Sequence, residues 1–403
     1  MEERAGPLKG LRVLELASVL AGPYCAMVLA DLGADVIKVE PPNGDATRGY
    51  GPPWINPDAP AGERSAVYFQ SVNRNKRSLR LDLSTKSGRD VVRRLIGRSD
   101  VLVENFRPGG MDRLGLSEEV LGELNPKLVR LSITGYGPDG PDSHKPGYDF
   151  VAQAVGGLMS VTGFPDAQGG HPTKLGVAIT DIVTGLMGTV GVLAALRSGV
   201  GQRIDVSLLE ATLATLINQA HNAFATGEQP PRLGNAHPNI VPYETFATSD
   251  GEIVVAIGSE RQWPRLCQEL ELPELATDER FADNGARVRN RAELRPILAA
   301  RFSEADSGHW LRRLDEAGIP CGPVNDVLAA FGQPQAVARG MRVEIEHPSL
   351  GRVPQIGLPY KLSATPASIR SAPPLLGEHS EEILVELGFS SEDVERLRSD
   401  RVI

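Results

Sequence analysis

Short apolar runs alternate with amphipathic stretches through the first two hundred residues. Residues 11–16 (LRVLEL) and 36–39 (VIKV) have the near-continuous apolar character of buried parallel strands. Between them, residues 21–32 carry apolar positions at helical spacing, and Gly33 follows as the stop. This opening predicts a βαβ unit with a right-handed crossover. Residues 77–83 (RSLRLDL), 100–104 (DVLVE) and 128–134 (LVRLSIT) predict further strands, with helices over 87–96 and 117–124. Such alternation predicts an α/β fold built on a mainly parallel sheet. The apolar segment 180–196 is short for a bilayer span and reads as a buried core helix.

The pattern breaks at 226–243 (TGEQPPRLGNAHPNIVPY), which predicts a domain boundary. Beyond it lie one strand at 252–257 and helices near 260–271, 291–302 and 307–317. A second Pro- and Gly-rich passage, 345–375, precedes helices near 380–387 and 390–398. At 403 residues two domains are expected. A charged share of 23% and a hydrophobic share of 41% read as a soluble chain, and the start MEERAGPLKG has no apolar signal core. The expected location is cytoplasmic, with no membrane partner. The net charge of −9 disfavours nucleic acid as a partner. Three scattered cysteines imply no disulfide framework, and seven histidines without metal-ligand spacing imply no metal.

The opening βαβ invites a dinucleotide reading, with Glu40 where a ribose-binding acid would stand. The turn ASVLAGPYCA holds one glycine, not G-x-G-x-x-G, so Glu40 reads as a solvated strand end. Three other segments put amides, glycines and cations at strand ends: 71–83, 104–115 and 132–141. Each taken alone fits turns and surface charges such as Lys76 and Arg77. Together they favour a phosphate-bearing ligand at the carboxyl edge of the sheet. Asp181 starts the long apolar helix. It is either an ordinary helix-start acid or a nucleophile kept ionised by oriented N–H groups, which would also stabilise charge on an attacked carbonyl. No hydrolase motif such as G-x-S-x-G occurs.

Ordered motifs over nearly the whole chain then match a family: LAGP (20–23), DLGADVIKVE (31–40), GDATR (44–48), NRNKRSLRLDL, VENFRPG, ITGYGP, GYDFVAQAVGGLMSVTG, ITDIVTGL, AGIPCGPVND (317–326) and LGEHSEEIL (376–384). The chain resembles the class III CoA-transferases (the CaiB/BaiF family), which include formyl-CoA transferase, carnitine CoA-transferases and alpha-methylacyl-CoA racemase. The resemblance implies Asp181 as nucleophile. It implies CoA contacts at Val19, Leu20, Ala21, Leu81, Asp82, Leu83, Ser84, Asn105, Phe106, Arg107, Arg113, Thr134, Gly135, Tyr136 and Gly137. Pro41 stands where the family often has an Arg. Coenzyme A enters as substrate, with no prosthetic group.

The racemase branch pairs its Asp with a His, where this chain has Tyr148. Tyr, with an ordinary pKa of about 10, is a poorer proton shuttle near neutrality than His at about 6.5. The likeness is greatest to succinyl-CoA:dicarboxylate (glutarate) transferases, with a racemase or a non-catalytic acyl-CoA binder as alternatives. Arg48, Tyr148 and His237 are candidates for binding the acid, Arg48 and His237 by gripping its distal carboxylate, against blander roles for those two in a surface ion pair and a turn. The resemblance also implies an interlocked, ring-shaped homodimer. It divides the chain into a large Rossmann-like domain (1–225), a linker (226–243), a smaller α+β domain (244–325), a second linker (326–350) and a return to the large domain (351–403).

Overall fold

The computed structural model describes residues 6–58, 60 and 64–403. It divides into two compact units: residues 6–156, 176–215 and 333–403 within the first, and 157–175 with 216–332 forming the second. In the first unit six strands form one sheet: β1 Arg12–Glu15, β2 Asp35–Glu40, β3 Lys76–Arg80, β4 Val101–Glu104, β5 Val129–Thr134 and β6 Arg203–Ser207. Their spatial order is β3-β2-β1-β4-β5-β6, and every neighbouring pair is parallel. This is the Rossmann-type order, which reverses between β1 and β4.

Period-2 alternation sends side chains to two faces. Val13, Val101, Val103 and Leu131 pack with Cys25 and Leu29 of helix α1 (Ala21–Asp31) on one side. Leu14, Leu79 and Leu102 pack on the other with Val92, Leu95 and the C-terminal Ile383 and Leu397. Gly33, at φ 110°, follows α1 where the sequence predicts its stop. The sequence reading lacks β6, whose short RIDVS pattern carries only two large apolar residues. It also lacks the hairpin Arg342–His347/Gly351–Ile356, whose alternation lies partly inside the passage read as loop.

The second unit holds the antiparallel sheet Cys321–Pro323, Glu252–Ala256, Tyr243–Ala247 over a core that includes Phe246, Trp263, Phe302 and Trp310. Residues 226–243 lie inside this unit. Gly234 N donates to Gly163 O, and Arg232 pairs with Asp166, tying that passage to 157–175.

Burial is less apolar than the pattern implies. Glu40, read as a solvated strand end, is fully buried: it accepts from Arg48 Nε (2.7 Å), Ser78 Oγ (2.6 Å) and Asp45 N (3.0 Å). Lys76, read as a surface charge or a phosphate ligand, is also buried. Its ammonium meets Glu15 Oε2, Pro23 O and Asn73 Oδ1, each at 2.8 Å. Lys38 reaches Glu15 Oε1 (2.8 Å), Asp45 Oδ2 (2.9 Å) and Ala17 O (2.9 Å). Each ammonium thus has three acceptors for three protons, the condition under which a buried cation is tolerated. Glu15 bridges both. Its removal leaves two cations short of a charge partner, so Glu15→Ala is expected to cost ~3–5 kcal/mol. A urea unfolding curve checks this; an unchanged midpoint would mean that the pairs contribute nothing.

Candidate active site

In an open parallel sheet, ligands bind beyond the carboxyl ends at the point where strand order reverses. The loops after β1, β4 and β5 bring Val19, Leu20 and Ala21, then Asn105, Phe106 and Arg107, then Thr134 and Gly135 to one cavity of about 190 Å³. Asp181 and Tyr148 line the same cavity, with Lys145. Leu81, Asp82, Leu83 and Ser84 line a second cavity of about 300 Å³ with Pro41; Ser18 and Phe106 line both. Arg113, at the end of the short helix Gly110–Arg113, and Tyr136 and Gly137, in the loop after β5, do not line either cavity.

Two close backbone approaches shape the first cavity. A Cβ on Gly135 would stand 2.6 Å from Gly147 Cα, so the strand end and the Gly147–Tyr148 segment meet only because both lack side chains. Helix α3 (Ile179–Ser198) approaches α1 at Gly185, where a Cβ would lie 2.6 Å from Ala21 O. That contact sits about one turn beyond Asp181 and sets the carboxylate near the 19–21 loop.

Asp181 is the third residue of α3, whose N-cap Ala178 offers no side-chain acceptor. The acceptor comes from elsewhere. Asp149, the first residue of helix α2 (Asp149–Val155), receives Thr180 N (2.8 Å) and Asp181 N (3.3 Å) on Oδ1 and Gln153 Nε2 (2.7 Å) on Oδ2. The N–H groups expected to hold Asp181 ionised therefore serve a different carboxylate. Burial, and secondly the charge of Asp149, push the Asp181 carboxyl up to about 7. In the loop after β5, Gly137 N is engaged as well, donating to Thr134 Oγ1 (2.9 Å).

Several sequence expectations change at this level. Arg48 donates bidentately to Glu40, bonds Pro374 O and stacks on Phe69 at 3.7 Å, so its guanidinium is tied into the fold. It pairs with an acid, as the blander reading held, but a buried one. His237 belongs to the second unit, where its Nδ1 accepts from Asn239 N (3.0 Å) and its ring packs on Tyr243. Burial, then Arg291, keep its pKa below the ordinary value, which disfavours a cationic His237. The cations lining the Asp181 cavity are Arg107 and Lys145. Neither Lys145 nor Asp149, which flank Gly147-Tyr148, carries a role in the sequence reading.

With this geometry in hand, comparison with known proteins is direct. Residues 8–380 match the model of "CoA-transferase family III". The chain belongs to CoA-transferase family III. It is 44% identical over 392 residues to the succinate–glutarate CoA-transferase of Agrobacterium fabrum, covering 96% of this chain and 97% of that one. It is 41% identical over 403 residues to the succinyl-CoA:glutarate CoA-transferase of Mus musculus, covering 98% and 90%. The crystal structure of a CaiB/BaiF family protein from Brucella suis superposes with a TM-score of 0.83 at 46% identity, covering 95% of this chain and all of that one. As a family III CoA-transferase the chain acts on CoA thioesters, and the cavity holding Asp181 is where its strand-end loops meet.

A raised carboxyl pKa has a signed consequence. The folded state holds a proton on Asp181 that the unfolded chain releases near pH 4, so this group's contribution to stability falls as pH rises from about 4 through about 7. Asp149→Asn keeps an acceptor for Thr180 N and removes the neighbouring charge. Titration of the 13C-labelled Asp181 carboxyl by NMR should give a midpoint near 7 in the unmodified protein and a lower one in Asp149→Asn. An unmoved midpoint would leave burial as the sole cause.

Proposed function

We propose that this enzyme transfers CoA from succinyl-CoA to a dicarboxylic acid of glutarate type, with Asp181 as the covalent nucleophile. The observation that carries the reading is Asp181 itself: a half-buried carboxylate at the junction of the loops after β1, β4 and β5, in a family III CoA-transferase. Two relatives named for succinate or succinyl-CoA and glutarate support the choice of acids.

In the mechanism, the Asp181 carboxylate attacks the thioester carbonyl of succinyl-CoA and CoA thiolate leaves, giving an aspartyl–succinyl anhydride. The thiolate attacks the aspartyl carbonyl, succinate departs, and an aspartyl–CoA thioester remains. The acceptor carboxylate attacks that carbonyl and expels the thiolate. The thiolate then takes the acceptor's acyl carbon from the second anhydride and frees Asp181. Each step exchanges one anionic leaving group for another, and no proton changes hands. The cycle therefore needs no acid–base partner at 148, where this chain has Tyr. It needs an ionised Asp181, so kcat/KM should rise with pH through about 7. A carboxylate of raised pKa is also the stronger nucleophile once ionised.

Arg107 and Lys145 are the cations we assign to the anionic groups entering this cavity. Leu81–Ser84, Pro41 and Phe106 would receive another part of the CoA chain in the neighbouring, more apolar cavity. Arg113, Tyr136 and Gly137 would act through the shape of their segments. Buried, unpaired Cys25 and Cys267 suit a reducing compartment such as the cytoplasm.

The test is incubation with succinyl-CoA and a series of four- to six-carbon dicarboxylic acids, monitored for new CoA thioesters. Borohydride added after succinyl-CoA should inactivate the enzyme by reducing the aspartyl thioester, and Asp181→Ala should lower turnover by at least ~10³-fold. Transfer to no acid, or full activity in Asp181→Ala, would remove the reading.

We also infer an interlocked homodimer. What supports it is α3. Its Gly185 and Gly188 face is buried, yet Leu186, Met187 and Val190 are 41%, 49% and 64% exposed. By length and composition this helix would also pass as a membrane span, and a second copy of the chain is the cover we assign to it. Light scattering should give twice the mass of the 43.2 kDa chain, and Met187→Glu with Val190→Glu should shift it toward one chain. A monomeric unmodified protein would refute the pairing.

A further inference from the structure

The turn that follows β1 is strained. Val19 has φ 71°, a conformation that a β-branched residue rarely adopts and that persists only where its surroundings over-determine it. Two side chains from different parts of the sheet supply that constraint. Asn105, after β4, grips Ser18 from both ends of its amide. Its Oδ1 accepts from Ser18 N (3.0 Å), and its Nδ2 donates to Ser18 O (2.8 Å). Asp45 accepts from Val19 N on both oxygens, at 3.3 and 3.4 Å.

Asp45 is itself immobilised. It is 3% exposed, accepts Thr47 N (2.9 Å) and Thr47 Oγ1 (2.7 Å), and pairs with Lys38 at 2.9 Å. Burial pushes its carboxyl up, but Lys38 and Thr47 more than offset this and keep it below the ordinary value, hence anionic. Lys38 is in turn held by Glu15, and Glu15 by Lys76. The strained turn thus rests on a continuous buried chain of charges rather than on a flexible loop. Asn105 lines the cavity, but both ends of its amide are already engaged by Ser18.

We propose that Asn105 and Asp45 are positioning residues that jointly hold Ser18 and Val19 in the left-handed turn, fixing the 19–21 backbone against which the CoA thioester lies over Asp181. This rests on the CoA-transferase reading of that cavity. The two residues act through Val19 and not by direct contact with the reacting atoms. The strain gives a specific signature. Glycine enters positive φ about as readily as negative φ, so a turn carrying Val19→Gly depends less on its anchors.

The experiment compares Asn105→Ala and Asp45→Ala in the unmodified and Val19→Gly backgrounds. In the unmodified background each should raise KM for succinyl-CoA on the order of tenfold, with a smaller change in kcat. In the Val19→Gly background the same substitutions should raise it only about threefold. Crystal structures of Asn105→Ala and Asp45→Ala should find Val19 at negative φ, a readout that needs no substrate. Equal penalties in the two backgrounds, or an unmoved Val19, overturn the proposal. If Asp45→Ala does not fold after losing its pairing with Lys38, the Asn105→Ala pair decides by the same criteria. If the unmodified protein neither binds nor turns over CoA thioesters, the transferase reading fails, while the crystallographic arm still decides what holds the turn.

Discussion

Every α-helix begins with peptide N–H groups that need acceptors from outside the helix. At the start of Ile179–Ser198 two of them are met by Asp149, on a helix thirty residues earlier in the chain. The rest of the site depends on this one contact. It anchors the Gly147–Tyr148 segment to the helix that carries Asp181, and it sets a second carboxylate beside the first. Had those N–H groups faced Asp181, they would have favoured its anion. Turned to Asp149, they leave burial and charge repulsion to decide, and the carboxyl rises to about 7. The result is a carboxyl poised to ionise near neutral pH.

The other half of the cavity is held by charges that solvent barely reaches. Glu15, Lys38, Lys76, Asp45 and Glu40 are each under a tenth exposed, and they interlock β1, β2 and β3 beneath the first loop. A hydrophobic set of similar volume would often be as stable or more so, because desolvating ions costs several kcal/mol apiece. What ions supply instead is directional: three acceptors around each ammonium define one geometry. Here that geometry ends at the backbone of Val19. The network accordingly links the packing of the sheet to the shape of the binding loop.

Glycine works in the opposite way, by absence. Gly135 against Gly147, and Gly185 against the Ala21 carbonyl, permit approaches that any side chain would block. Together they bring three segments distant in sequence to within reach of one carboxylate. The outward face of the same long helix keeps Leu186, Met187 and Val190 exposed.

Much of this was legible in the residues alone. Short, mostly apolar runs marked five of the six parallel strands to within a few residues, because strands buried on both faces admit little but apolar side chains. The motif around Asp181 marked the residue proposed as nucleophile, since the resemblance fixes a position rather than an environment. The loops after β4 and β5 were marked by their amides, glycines and cations, and the loop after β1 by the resemblance alone. Tertiary structure alone decided the environments. Arg48 and Lys76 carry the composition of ligand-binding cations, yet Glu40 on β2 and Glu15 on β1 claim them for the fold. Asp149 looks like any helix-start acid until a second helix presents its N–H groups to it. Composition determines which charges exist. Only the pairing of distant segments determines which of them are neutralised, buried or left to react, because Coulomb and desolvation energies depend on separation and burial, and neither is written along the chain.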